Sequence, residues 1–157
     1  MTQRSAGILL YRRSPALEVW IAHMGGPFWA RKDAAAWSIP KGLYESDEVP
    51  LTAAIREFTE EIGTPPPAVD YVNLGEFRQG SGKLVTVFAA EADFAVDEVR
   101  SNTFSVEWPP RSGRMQEFPE IDDARWFPVE VARVKLVKGQ LPALDALESV
   151  VSGRMDP

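Results

Sequence analysis

The chain has 157 residues, 45% of them hydrophobic and 25% charged, a composition that suits one globular core and is short for two. A formal net charge of −6 argues against broad electrostatic binding to nucleic acid or an anionic membrane, although a bound divalent metal would still allow a nucleotide substrate. Cysteine is absent, which removes disulfides, thiolate ligands and cysteine nucleophiles, and no apolar run nears the ~20 residues of a membrane span. The expectation is a single cytoplasmic domain over residues 1–157 without a signal peptide.

In chain order, residues 6–11 and 17–22 are apolar and strand-like, joined across a turn at Ser14-Pro15. Gly25-Gly26-Pro27 breaks the second strand and opens a loop that carries Phe28 and Trp29. Residues 37–40 predict a short strand, which Pro40 confines to an edge or an end, and residues 41–49 predict a loop. Pro50 suits the first turn of a helix, where its missing N–H costs nothing. From there Leu51, Ile55, Phe58 and Ile62 recur at helical spacing, and Gly63 with Pro65-Pro66-Pro67 ends the run. Residues 71–79 and 84–90 predict a hairpin around Gly80-Ser81-Gly82. Further strands are expected at 104–108 and 124–127, and helices at 129–136 and 144–151. Many strands with few helices, not in strict alternation, predict an α+β fold.

The helix starting at Pro50 carries the chemistry. Glu57, Glu60 and Glu61 are separated by three and four residues, so they share one face, opposite the apolar stripe and expected to point outward. Like charges at those offsets repel by about 0.2–0.5 kcal/mol per pair, and the negative end of the helix dipole adds to the penalty. Such a helix invites a cation. His23, Phe28, Trp29 and Trp37 are better explained by packing than by catalysis or base stacking.

From Gly42 the chain reads Gly42, five residues, Glu48, seven residues, Arg56-Glu57-Phe58, Thr59, Glu60-Glu61, Ile62, Gly63, Thr64. This resembles the Nudix box, G-x5-E-x7-R-E-U-x-E-E-x-G-U, with every fixed letter present and Thr64 departing from the usual final aliphatic residue. The resemblance implies a Nudix-type α/β/α sandwich with a mixed central sheet. It implies Mg²⁺ or Mn²⁺ held by Glu57, Glu60, Glu61 and the carbonyl of Gly42, with Glu48 and Arg56 fixing the loop against the helix. The implied reaction is hydrolysis of a phosphoanhydride in a nucleoside diphosphate linked to another group. For the base that takes the water's proton, the resemblance points to Glu120, with Glu117 and Glu107 behind it, and Glu61 is the alternative because the family does not place its base uniformly. Lys41, Arg111 and Arg114 are candidates for meeting substrate phosphates. The lead-in Trp-x-x-Pro-Lys-Gly is similar to that of enzymes acting on dinucleoside polyphosphates or nucleoside triphosphates. Leu43 departs from the acid those relatives carry after the glycine. The alternative is a nucleotide-sensing or regulatory module that does not hydrolyse; such modules typically lose box acids, and here none is lost.

Overall fold

The computed structural model describes residues 3–13, 15–80 and 82–155; Met1, Thr2, Ser14 of the predicted turn and Ser81 of the predicted hairpin lie outside the described residues. The elements in order are β1 (Arg4–Arg13), β2 (Leu17–Met24), β3 (Trp37–Ser38), β4 (Lys41–Leu43), α1 (Pro50–Ile62), β5 (Val72–Arg78) and β6 (Leu84–Glu91). There follow β7 (Thr103–Glu107), β8 (Met115–Pro119), β9 (Ile121–Pro128), α2 (Val129–Lys135), a 3₁₀ turn at Lys138–Gln140 and α3 (Leu141–Met155). Two strands escape the sequence reading. The three residues of β4 are too few for a pattern, and β8 lies exposed in a ribbon that buries little. No helix among the described residues is long and apolar enough to cross a membrane.

The main sheet runs β3-β2-β1-β6-β5, with β4 added to β1 and β9 to β2, while β7 and β8 form a separate ribbon. The sheet is mixed because β1 and β6 run parallel and their neighbours antiparallel. Strand alternation builds the two cores. Leu9 and Tyr11 of β1 face α2 and α3 with Ile21, Val87, Leu144 and Leu147. Ile8 and Leu10 face α1 with Trp20, Phe88, Ala53, Ala54, Phe58 and Ile62. This α/β/α layering is the expected α+β sandwich.

Within α1 the buried set differs from the predicted stripe. Ala53, Ala54, Phe58 and Ile62 are buried, whereas Ile55 is 37% exposed. The small alanines let the helix lie close to β1, and that contact outweighs the stronger hydropathy of Ile55. Phe58 packs its ring on Trp20 and Phe94, at centroid distances of 5.7 and 5.5 Å. At the C-terminus Gly63 adopts φ 88°, and its N–H donates to the Thr59 carbonyl at 2.8 Å. That left-handed conformation ends the helix where the sequence predicts.

Candidate active site

Glu57 and Glu61 pack against the segment 41–43, contrary to the expectation that all three carboxylates face outward, while the Glu60 side chain stays 41% exposed. The Glu57 side chain is 15% exposed. Its carboxylate lies so close to Gly42 that a Cβ there would sit 1.9 Å from Glu57 Oε2. Glu61 accepts the Lys41 backbone N–H at 3.0 Å. Arg56 grips Glu48 with two parallel bonds, both 2.9 Å, tying the loop before α1 to its middle turn. The same guanidinium donates to Glu57 at 2.8 Å and reaches Glu60 at 3.4 Å. No three acidic side chains among the described residues converge on one point suited to an ion.

Glu120 lies far away in sequence, and a relay of backbone bonds brings it to this helix end. The last carbonyls of α1 need partners. The Glu60 carbonyl accepts from Asn102 N–H at 3.0 Å, and the Ile62 carbonyl accepts from Arg100 N–H at 2.8 Å. Asn102 in turn offers its carbonyl to Glu120 N–H, and the Glu120 carbonyl accepts from Gly25 N–H, both at 2.8 Å. Glu120 therefore stands between β8 and β9 at a spot fixed on both sides. A cleft of about 270 Å³ opens here, lined by Lys41, Glu61 and Glu120 with Ser38, Met24, Trp29, Phe104 and Ile121.

Desolvation dominates the cleft's electrostatics. Burial pushes the Glu61 carboxyl up to about 8, against the opposing attraction of Lys41. Burial likewise lowers the Lys41 ammonium, although Glu61, Glu57 and Glu120 all favour its charge. Glu57 is raised by burial, with repulsion from Glu60 adding to it and Arg56 resisting. Glu120 is raised by burial and by Glu60. Two groups of opposite sign thus shift toward their neutral forms, because each has lost more water than its neighbour replaces. A hard cation with oxygen preference would supply the missing charge and return such carboxyls to their ionised form.

The remaining candidates separate cleanly. Glu107 does not line the cleft; its carboxylate accepts from Arg111 and Gly113 N–H at 3.0 and 3.2 Å and closes the turn of the β7–β8 ribbon. Glu117 is exposed on β8, and Arg111 and Arg114 are exposed at the ribbon tip, so none of the three lines the cleft. His23 is buried between Asp122 and the Lys32 carbonyl, 2.7 Å from each, and packs on Trp37, which bonds Asp33. Trp29 and Phe104 form apolar walls of the cleft, and Phe104 sits directly over Gly26. Phe28 packs edge-on against Trp108. Sequence reasoning gives Trp29 only a packing role and assigns Phe104 no part in the site. No local pattern marks either, because the wall forms between a loop and a ribbon some 75 residues apart.

Comparison with known proteins gives a consistent family. The chain is 45% identical over 49 residues to an RNA pyrophosphohydrolase of Hahella chejuensis, covering 31% of this chain and 30% of that protein. It is 38% identical over 69 residues to an RNA pyrophosphohydrolase of Xylella fastidiosa, covering 43% and 31% respectively. The matched stretches thus span less than a third of either relative's length. Among solved structures, a C. elegans Ap4A hydrolase in a binary complex superposes with a TM-score of 0.67 at 19% identity, covering 95% of this chain and 98% of that one. The NUDIX domain of Shewanella oneidensis NrtR, complexed with ADP ribose, does so with a TM-score of 0.67 at 15% identity, covering 96% and 89%. At these identities the structures speak for the fold. The model of the NUDIX domain matches residues 1–147, and the chain belongs to the NUDIX family.

Proposed function

We propose that this protein is a divalent-metal-dependent pyrophosphohydrolase that cleaves a phosphoanhydride bond in a nucleoside diphosphate linked to another group. The first compounds to consider are dinucleoside polyphosphates and nucleoside triphosphates. One observation carries the reading: at the acidic end of α1, Glu61 lies desolvated in a cleft that it shares with Lys41 and Glu120. The names of the similar proteins, RNA pyrophosphohydrolase and Ap4A hydrolase, agree with anhydride hydrolysis.

The donors are all oxygens, the type that Mg²⁺ or Mn²⁺ prefers, although the side chains do not converge as they stand and would have to draw together around the ion. Glu57, Glu60 and Glu61 with the Gly42 carbonyl would hold the ion, and the space a Cβ would fill at Gly42 is already taken by the Glu57 carboxylate. When bound, the ion would neutralise diphosphate charge and lower the pKa of the attacking water. The chain's own residues supply the rest. Lys41 offers a partly desolvated ammonium to phosphate oxygens, where little competing water weakens the contact. Glu120, at the rim of the cleft, accepts the proton of the attacking water; its raised pKa makes it a stronger base than a solvated glutamate. Glu61 is the second choice for that role. Arg56 and Glu48 keep the loop and helix in register. Arg111 and Arg114 would engage only substrate parts that extend beyond the cleft.

The test is a panel of nucleotides carrying a diphosphate linkage, incubated with Mg²⁺ or Mn²⁺ in ¹⁸O-labelled water and read by mass spectrometry. One labelled oxygen per cleavage, appearing in a phosphate product, is expected for at least one compound. Tight binding by calorimetry with no turnover across the panel would instead identify a sensing module and overturn the enzymatic reading.

A further inference from the structure

Gln140 belongs to neither the box nor the cleft lining, yet its side chain is fully buried. Its surroundings explain why an amide is there. The residues after α2 run beside β3: Leu136 bridges Trp37 in parallel, and Val137 N–H donates to the Trp37 carbonyl at 2.9 Å. The backbone then curls into the 3₁₀ turn and can pair no further. At that point the Gln140 side chain takes over the ladder. Its Oε1 accepts from Ile39 N–H at 2.8 Å, and its Nε2 donates to Ser38 Oγ at 2.9 Å. A side-chain amide stands in for the next peptide group of a strand.

The segment it holds leads directly into the cleft. Ser38 lines the cleft, Pro40 offers its carbonyl to Ile8 N–H at 3.1 Å, and Lys41 donates its backbone N–H to Glu61. Four consecutive residues are therefore anchored by three separate parts of the fold: the 3₁₀ turn, β1 and α1. We propose that Gln140 is a positioning residue for hydrolysis: it sets the path of residues 38–41 and thereby aims the Lys41 side chain and the Glu61 carboxylate. The proposal rests on the reading that this cleft is the hydrolytic site. Gln140 touches neither the reacting atoms nor the acids themselves.

The experiment compares Gln140→Met, which keeps length and volume but loses both polar atoms, with Gln140→Asn, which keeps the amide but shortens its reach. Val151→Ala serves as a control that loosens the same core roughly 16 Å further along the chain, by the helical rise per residue. Each is measured for melting temperature, for kcat and KM separately, and for amide hydrogen exchange at Lys41. In Gln140→Met, kcat is expected to fall about tenfold to a hundredfold, as for a displacement near 1 Å, with KM within about threefold. Lys41 N–H exchange is expected to accelerate, with the Asn variant intermediate and the control unchanged in both readouts. If Gln140→Met matches the control in kcat and in Lys41 exchange, the proposal is wrong. If wild type hydrolyses nothing, the hydrolytic reading fails, and exchange at Lys41 still decides whether Gln140 sets the segment's path. If the Met variant does not fold, the Asn variant decides by the same two readouts.

Discussion

Helix α1 buries two adjoining faces, and their physics differ. On one side Ala53, Ala54, Phe58 and Ile62 enter an apolar core beside Trp20 and Phe94. On the other side Glu57 and Glu61 are pressed onto Gly42 and Lys41, where every Å² removed from water raises the cost of their charge. The apolar side stabilises the fold. The acidic side draws on that stability and holds carboxylates in a state that only a cation or a proton relieves. A helix gripped firmly on one face can therefore carry strain on the other.

That contrast makes the two sides fail differently under mutation. The largest effect is expected from Phe58→Asp, which places an unpaired charge in the apolar core and should abolish folding; circular dichroism at 25 °C checks it. The milder Phe58→Ala should cost about 3–5 kcal/mol in urea denaturation while leaving kcat nearly unchanged for the fraction folded. Glu60→Gln and Glu61→Gln should do the opposite, lowering turnover roughly 10³-fold or more with the fold intact. Rates near wild type in both variants would remove the acids from the chemistry. Gly42→Ala tests the same side from across the gap. It must displace the flexible end of Glu57, so turnover should fall about tenfold or more with a melting temperature within about 3 °C of wild type.

The acidic side also makes a pH prediction of definite sign. The Glu61 carboxyl is pushed up to about 8 in the folded chain, above its ordinary value of 4.5, so the folded state favours the protonated form. Its contribution to stability is complete below pH 4.5 and is lost as pH rises through 8. Without metal, Glu61→Gln should therefore melt higher than wild type at pH 8–9, by about 2–4 °C for each kcal/mol relieved, with the gain shrinking toward pH 5. Millimolar Mg²⁺ should raise the wild type's melting temperature more than the variant's. The smallest effect belongs to the ribbon tip. Arg111→Ala combined with Arg114→Ala should raise KM about twofold to fivefold and spare kcat, since exposed charges act weakly. A loss in kcat as large as that of Glu61→Gln would move the chemistry to the ribbon.

What the sequence reveals follows from how local each feature is. The ends of α1 are legible because Pro50 and Gly63 act within one turn, and β1, β2 and β6 of the main sheet because their apolar runs are long. The exposure of Ile55 is illegible, since helical spacing cannot tell which of two adjacent positions a neighbouring strand will approach. The burial of Glu57 and Glu61 is hidden for a related reason: it depends on β4, whose three residues carry no strand signature. Glu120 is named by resemblance alone; the relay through Asn102 that delivers it joins segments about 20 and 40 residues apart. Gln140 leaves no trace in the sequence, because a lone glutamine near a helix start is ordinarily solvated.

Strand β1 changes partner midway. Residues Ser5, Ala6 and Gly7 face Leu43, Gly42 and Lys41, while Leu10 to Arg13 face β2. At the handover Ile8 N–H would be orphaned were it not for the Pro40 carbonyl, and the close approach leaves a Cβ on Gly7 only 2.7 Å from that oxygen. Pro40, having no N–H of its own, can stand at this junction without leaving a second donor stranded. The seam therefore works as a splice: the polypeptide bearing the acid-facing glycine is stitched into the same strand that β6 secures from the other edge. Loosening by heat should reach residues 41–43 late, after the outlying β7–β8 ribbon has already frayed.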